Sequence, residues 1–270
     1  MCQACGGNVA EALDTAAALE MFHNAFLIHD DIEDGSESRR GLPTLHQTYG
    51  VAIATNVGDG LNMLAMRTLL GNVELLGLER ALTVIREVER MARESTEGQS
   101  IELDWVRRNP PDIRVRDYLL MSWKKTCWYT CIAPLRTGAL IAGLHPGRLE
   151  RFTAFGFKTG AAFQIQDDVL NLTAEESLYG KEIGGDIAEG KRTLMVVHLI
   201  GAAEGRDRAR VLDIFGKPRA AKTPEEIGFV LDAMPRYGSI DFARQVARRL
   251  AFGARRVFES RLAWLAPSPH

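Results

Sequence analysis

The sequence lacks most of the features that mark secreted, membrane-spanning or nucleic-acid-binding proteins. Four cysteines in 270 residues are too few for a disulfide framework. Cys2 and Cys5 form a CxxC pair, but no second CxxC or CxxH follows that could complete a zinc site. There is no signal peptide and no uncharged apolar run near twenty residues, and a net charge of −2 gives no reason to expect binding to nucleic acid or to a membrane surface. We therefore expect a soluble cytoplasmic protein.

Alternating apolar and polar residues, which predict β-strands, are also missing, and no internal repeat is evident. Apolar residues instead recur at spacings of three and four, most clearly between Val9 and His29. With 46% apolar residues, the chain can bury a sizeable core. These features predict an all-α fold in which residues 1–270 form one domain, a helical bundle.

Glycine and proline predict several helix boundaries. Gly58 should interrupt one helix, and Gly98 should end the helix that begins at Leu78. Asp112, which follows two prolines, is expected to cap the next helix. Pro134 is expected to kink a later helix.

The most informative stretch is residues 26–34, FLIHDDIED, which is apolar up to His29 and then abruptly acidic. Asp30 and Asp34 stand one helical turn apart on one face, with Asp31 beside them, and like charges at this spacing repel. A hard cation such as Mg²⁺ would remove the repulsion. An isolated DDxxD is equally compatible with a solvated helix end, but Arg39 and Arg40 follow closely, and arginine suits bidentate phosphate binding. Together these residues predict a diphosphate site.

A second acidic pair, Asp167 and Asp168, closes the apolar stretch 163–171, FQIQDDVLN. Two such pairs are better explained as facing walls of one metal-filled cavity than as two solvated turns. Basic side chains that suit phosphate contact lie at Lys125 and in a glycine-rich loop that contains Lys181 and Lys191. Each lysine alone is more simply an exposed solubilising charge; their coincidence with the acidic pairs favours a site.

In order and spacing, these motifs resemble the trans-isoprenyl diphosphate synthases, the polyprenyl synthetase family. The resemblance runs from about Cys5 to Leu194 and includes four further segments: Gly58-Asp59-Gly60-Leu61, Lys125-Thr126, Tyr179-Gly180-Lys181 and Glu189-Gly190-Lys191-Arg192-Thr193-Leu194. It implies an isoprenoid synthase-type helical fold with a central cavity, three Mg²⁺ ions and a homodimer. It also implies two substrates, an allylic diphosphate and isopentenyl diphosphate, which are joined into a short-chain polyprenyl diphosphate.

The resemblance also assigns roles to the candidate residues. Metal binding falls to Asp30, Asp34 and Asp167, with Asp31 and Asp168 in support. The allylic diphosphate would be neutralised by Arg39, Lys125 and Lys181, with help from Lys191. Arg40 would bind isopentenyl diphosphate, and Gln164 would lie beside the reacting carbons. These assignments are expectations for the structure.

Two departures from the family pattern keep alternatives open. Asn171 stands where many members have a third aspartate, and the sequence opens at a point where the family is already past a GGKxxRP-like segment that supplies most of the isopentenyl diphosphate site. Poor condensation with isopentenyl diphosphate is therefore expected of this chain, and a class I terpene cyclase, another diphosphate-releasing enzyme or a poorly active partner subunit remain alternatives. A phosphohydrolase of the HD type would use His23, His29, Asp30 and Asp59, but would leave both arginines and the second acidic pair without a task.

The residues before Asp30 bear on product length. Phe26 and Phe22 lie four and eight positions earlier, on the same helical face, about 6 and 12 Å along the helix. Ala25, beside Phe26, is small, so the aromatic floor of the cavity is partial. A C20 product is therefore favoured over C15, unless both rings are ordinary core residues.

Overall fold

The computed structural model describes residues 1–173 and 184–265 as an almost entirely helical protein. Twelve α-helices follow one another within these residues: α1 Leu13–Asp34, α2 Leu45–Tyr49, α3 Val51–Leu76, α4 Leu78–Arg108, α5 Val115–Ser122, α6 Ala133–Ile141, α7 Glu150–Thr173, α8 Gly185–Glu189, α9 Leu194–Ala202, α10 Gly205–Phe215, α11 Pro224–Arg236 and α12 Ser239–Val257. A π-helix, Trp123–Ile132, joins α5 directly to α6, and a second, Phe258–Leu262, follows α12. Short 3₁₀ turns at Gln3–Cys5, Val9–Ala12, Pro146–Arg148 and Arg219–Ala221 complete the described helical structure. The all-α prediction is confirmed.

One small hairpin departs from it. Strands β1 (Ser38–Arg39) and β2 (Leu42–Pro43) pair antiparallel, with Ser38 opposite Pro43. The two turn residues, Arg40 and Gly41, have φ of +55° and +77°. Positive φ at both positions matches the tight turn that suits the twist of a two-residue hairpin. This hairpin could not be predicted from the sequence, because two-residue strands have no periodicity.

Two apolar clusters hold the helices together. One is centred on α1, α3, α4, α6 and the first half of α7, with Trp128 and Phe152 fully buried. The other is centred on the end of α7 and α9 to α12, with Phe215 and Tyr118 fully buried. Because α7 contributes to both, this helix connects the two clusters. None of the helices described is long and apolar enough to cross a membrane.

The predicted interruption of a helix at Gly58 and the predicted helix end at Gly98 were both wrong. Gly58 lies inside α3 and Gly98 inside α4, and both helices continue past them. Both glycines are buried where a second chain segment comes close: a Cβ on Gly58 would meet the His29 ring at 2.4 Å, and one on Gly98 would meet the Lys125 backbone nitrogen at 2.1 Å. Tertiary packing therefore outweighs the low helix propensity of glycine at these positions.

Two further boundary predictions were also wrong. The residue at the start of α5 is Arg114 rather than Asp112, and its backbone N–H donates to the Asp117 carboxylate at 3.0 Å. Pro134 lies in the first turn of α6, directly after the π-helix. Its missing amide hydrogen thus falls where the pattern of hydrogen bonds changes from five residues apart to four.

Candidate active site

The first acidic motif lies in the last turns of α1. The helix ends at Gly35, whose φ of +63° lets the chain turn away. Carboxylate oxygens of Asp30 and Asp34 come together with one from Glu102 of α4, all within 4.8 Å of one another. Three carboxylates this close, with Glu102 itself buried, offer the hard oxygen ligands that Mg²⁺ prefers, so the donor set fits the metal that the sequence predicts.

Two lysines are paired with these carboxylates. Lys125 Nζ lies 2.9 Å from Asp30 Oδ1 and is also in contact with the Glu102 carboxylate. Lys191 Nζ lies 2.6 Å from Asp34 Oδ2. Each lysine therefore sits on the acidic cluster itself, where it can reach a phosphate group bound to the same metal site.

The hairpin sends its two arginines to different places. Arg39 donates hydrogen bonds to the buried Asp31, with Nη2 2.6 Å from Oδ1 and Nε 2.9 Å from both carboxylate oxygens. A longer contact of 3.4 Å joins Arg39 to Asp30. Arg40 is exposed at the turn and is not among the described residues that line the cavity below. Asp31 therefore positions Arg39.

The second acidic pair lies near the end of α7, and its two members have different surroundings. Asp168 is buried and accepts hydrogen bonds from the Tyr118 hydroxyl at 2.8 Å and from Gln164 Nε2 at 2.7 Å. Gln164 in turn accepts one from the Thr126 hydroxyl at 3.0 Å. Asp167 is only half-buried and faces the cavity. Asp168 therefore fixes the orientation of Gln164, while Asp167 is the more exposed of the two.

One cavity of about 580 Å³ connects these elements. Its charged lining combines one residue of the first acidic motif with the second acidic pair and three cations: Asp30, Asp167, Asp168, Arg39, Lys125 and Lys191. Another part of its lining is aromatic, where His23 and Phe26 meet Tyr129, and Leu27 and Met121 are further apolar lining residues. A cavity lined by both charged and apolar side chains suits a molecule with a phosphate group and a hydrocarbon tail.

The aromatic end is built from α1 and the first π-helix. Phe26 packs edge-on against Tyr129, with ring centroids 5.9 Å apart, and His23 stacks on the same ring at 5.4 Å. Phe22 lies behind Phe26, 6.2 Å away, and is buried in the core instead of lining the cavity. Of the two phenyl rings, Phe26 therefore forms the cavity surface and Phe22 supports it.

Electrostatics at the site are set by burial and by the lysines. Burial opposes ionisation of Asp30, but Lys125, Lys191 and Arg39 outweigh it and hold the pKa of Asp30 well below its usual range. For Asp34 burial prevails over Lys191 and raises its pKa to about 7. Burial likewise raises the pKa of Asp168 to about 6, despite the hydrogen bonds from Gln164 and Tyr118. Burial also disfavours the charge on Lys125, yet Asp30 and Glu102 raise its pKa above the usual value.

Lys125 and Thr126 reach the cavity from the first π-helix. Ten residues with π pairing are a rare feature, and π-turns occur often at functional sites. Glycines on two neighbouring helices accommodate its backbone: Gly98 of α4 faces Lys125, and Gly160 of α7 would bring a Cβ to 3.0 Å from the Cys127 sulfur. The location of Lys125 therefore depends on a backbone contact with α4.

Several residues of the site were not predicted from the sequence. Glu102 was not predicted because the helix was expected to end at Gly98. Its position four residues after that glycine, on the same helical face, was the available signal. Gln99, one residue past the same glycine, donates to Asp30 at 3.3 Å. Tyr118 carries no sequence signal, because a tyrosine in an apolar helix is usually a core residue. Lys181, which was predicted, lies outside the described residues.

Comparisons with known proteins agree with the sequence resemblance. The family model described as "Polyprenyl synthetase" matches residues 1–234. A short chain isoprenyl diphosphate synthase of Methanothermobacter thermautotrophicus is 35% identical over 245 residues, which cover 91% of this chain and 72% of that protein. A geranylgeranyl diphosphate synthase of Sulfolobus acidocaldarius is 35% identical over 244 residues, covering 90% of this chain and 72% of that protein.

Solved structures of prenyl diphosphate synthases have a similar fold. The crystal structure of geranylgeranyl pyrophosphate synthase from Corynebacterium glutamicum, complexed with isoprenyl diphosphate and magnesium, superposes with a TM-score of 0.85 at 26% identity. The match covers 93% of this chain and 74% of that one. With the acidic pairs, the lysines and the apolar chamber in one cavity, and with a family match over most of its length, this chain belongs to the polyprenyl synthetase family.

Proposed function

We propose that this chain transfers an allylic prenyl group from its diphosphate to isopentenyl diphosphate and releases a short-chain polyprenyl diphosphate. The observation that carries the proposal is the single cavity in which Asp30, Asp167, Lys125 and Lys191 face an apolar chamber lined by Phe26. The relatives in the comparisons are short-chain synthases, which does not favour the terpene cyclase, partner-subunit or HD phosphohydrolase alternatives.

In the proposed site, Asp30, Asp34, Glu102 and Asp167 would hold Mg²⁺. When bound there, Mg²⁺ supplies positive charge that stabilises the departing diphosphate. Three ions are proposed by family resemblance, and Asp31 and Asp168 would support these ligands by positioning Arg39 and Gln164.

The remaining chemistry belongs to the protein and the substrates. Lys125, Lys191 and Arg39 bind the allylic diphosphate, and Lys181 joins them by resemblance. As the carbon–oxygen bond breaks, its electron pair leaves with the diphosphate, and these cations stabilise the growing negative charge. The double bond of isopentenyl diphosphate attacks the allylic carbon, a new carbon–carbon bond forms, and a proton passes to the released diphosphate. Gln164, held by Asp168 and Thr126, faces the reacting carbons, and the apolar chamber excludes water that would quench the cation.

Product length in this proposal is set by Phe26. Its ring contacts Tyr129 and is supported from behind by Phe22, so a growing chain that enters the chamber meets an aromatic surface about 6 Å along α1 from Asp30. We favour a C20 product.

A binding and product assay tests the proposed function. The purified chain is given an allylic diphosphate with Mg²⁺, with and without isopentenyl diphosphate, and products are separated by chromatography. We expect prenyl products longer than the allylic substrate that form only when isopentenyl diphosphate is present. Slow formation of these products would agree with the poor condensation that the sequence predicts. Hydrocarbon release that does not depend on isopentenyl diphosphate would instead identify a cyclase.

The exposed face of α3 supports a homodimer. Ile53, Val57, Leu64 and Leu75 are 40–55% exposed and lie on one side of this helix. An apolar stripe along most of a long helix is a typical interface between identical subunits. Light scattering should give the mass of a dimer for the native chain and of a monomer for Ile53→Glu with Leu64→Glu; an unchanged mass would place the interface elsewhere.

We also propose a cytoplasmic location. The four cysteines are free thiols, which suits a reducing compartment. Cell fractionation would test this.

A further inference from the structure

The outer face of α12 carries an exposed phenylalanine surrounded by arginines. Arg248 and Arg249 precede Phe252 by four and three residues, and Arg255 and Arg256 follow it by three and four. Side chains at these spacings are neighbours on a helix surface, so all four arginines flank the ring. All four are exposed, and Phe252 itself is 67% exposed. We refer to these five residues as the Phe252 face.

The Phe252 face is not needed to hold the fold together. The opposite side of α12 is buried through Ala243, Ala247 and Ala254. Glu259, 2.7 Å from Arg255, is the only acid that pairs with the face within the described residues. The other three arginines thus keep their charge available on the surface.

The charge of this region differs from that of the rest of the chain. Residues 239–265 contain six arginines and two acidic residues, while the whole chain has a net charge of −2. Two further aromatic side chains are exposed beyond the helix, Phe258 at 42% and Trp264 at 47%. Beyond the helix, Trp264 and Arg261 border an open groove with Arg148 and Arg151.

We propose that the Phe252 face docks on an anionic lipid bilayer. Its arginines match the negative surface of such a bilayer, and an aromatic ring at the centre of the cationic face can enter the headgroup region, where aromatic side chains are favoured. One further argument rests on the proposed function: a bilayer also suits the product, which would carry an apolar prenyl chain. The contact would be peripheral, and the net charge of −2 conceals it because that value averages over surfaces of opposite sign.

Vesicle co-sedimentation tests the proposal without any need for catalysis. The purified chain is mixed with vesicles of phosphatidylcholine alone or of phosphatidylcholine with an equal amount of phosphatidylglycerol. We expect binding to the anionic vesicles only, weakening as salt screens the charges. Arg248→Gln with Arg256→Gln should lower the partition coefficient about tenfold or more. Arg86→Gln with Arg206→Gln changes the net charge equally at two other exposed positions and should leave binding within about twofold.

A fluorescence variant tests contact by the ring itself. The native chain, which already has four tryptophans, is the reference. Relative to it, Phe252→Trp should add emission that brominated acyl chains in anionic vesicles quench, whereas Leu13→Trp, at a residue 60% exposed on α1, should add emission that they do not quench. Circular dichroism of every variant checks that the fold is kept. Equal binding to both vesicle types, equal losses in the two arginine pairs, equal quenching at both tryptophans, or binding to DNA or acidic peptides without binding to vesicles would each overturn the proposal.

Discussion

Replacing Gly98 with alanine should damage catalysis through the backbone of Lys125. The added Cβ would stand 2.1 Å from the Lys125 nitrogen and 2.6 Å from its Cα, where ordinary contact begins at 3.4 Å. The obstructing atoms are backbone, so no side chain can swing aside, and α4 must part from the π-helix by roughly 1 Å. That movement would carry Lys125 Nζ away from Asp30 and Glu102.

The expected effects on stability and on activity differ in size. Overpacking costs about 1–3 kcal/mol, and alanine recovers about 0.5–1 kcal/mol of helix propensity, so the free energy of unfolding should fall by about 1–2 kcal/mol. At this chain length that is a fall in Tm of only a few degrees. A misplacement of about 1 Å at a substrate-positioning group can lower kcat/KM about a hundredfold.

The assay compares steady-state kinetics and thermal unfolding of Gly98→Ala with those of Gly228→Ala. Gly228 lies inside α11, and a Cβ added there would meet nothing within 4 Å, so its replacement should raise stability by about 0.5–1 kcal/mol and leave kcat/KM unchanged. Measurements well below Tm separate activity from unfolding. Should Gly98→Ala keep kcat/KM within about twofold of the native value, the dependence of Lys125 on this close approach would be refuted.

Three further predictions follow from the site and its surroundings. Turnover should stop in excess chelator, and Asp30→Ala should abolish it while circular dichroism stays native; turnover that persists in chelator would contradict the metal assignment. Phe26→Ala, alone and with Phe22→Ala, should lengthen the product seen by chromatography, because it removes the aromatic surface against Tyr129, and unchanged length in the double variant would place the floor elsewhere. Burial lowers the pKa of Lys222 from its usual 10.5 to about 8. The contribution of this lysine to the free energy of unfolding is therefore fully present above pH 10.5 and is lost as the pH falls through 8. Chemical denaturation should show stability rising by about 1–2 kcal/mol across that window, and Lys222→Met should remove the rise; an equal rise in both proteins would assign it to other groups.

The acidic motifs were the most predictable part of the site. Asp30, Asp34 and Asp167 could be predicted because two acidic motifs, each closing an apolar helix, occur together with basic residues, although one such motif alone would fit a solvated helix end. The fold class followed from apolar spacing alone. Both depend on patterns within a single segment, which a sequence displays directly.

Contacts between segments could not be predicted in this way. Gly98 resembles a helix terminator until the backbone of Lys125 is placed against it, and Glu102 is hidden as a consequence. Arg39 and Arg40 are chemically equal in the sequence, and the structure separates them: Arg39 is paired with Asp31, whereas Arg40 is exposed at the hairpin turn with a φ of +55°. Net charge concealed the Phe252 face because acidic residues elsewhere balance it.

The first π-helix bears on how this family member can tolerate insertions and deletions. Removing one residue from a regular α-helix rotates everything beyond it by about 100° relative to everything before it. A π-turn holds an extra residue, so a one-residue deletion within Trp123–Ile132 can be absorbed by tightening a π-turn to an α-turn. Tyr118 before the segment and Arg136 after it would then keep their buried faces. What would shift is Lys125, whose place in the cavity is therefore set by the length of this segment as much as by the identity of its side chains.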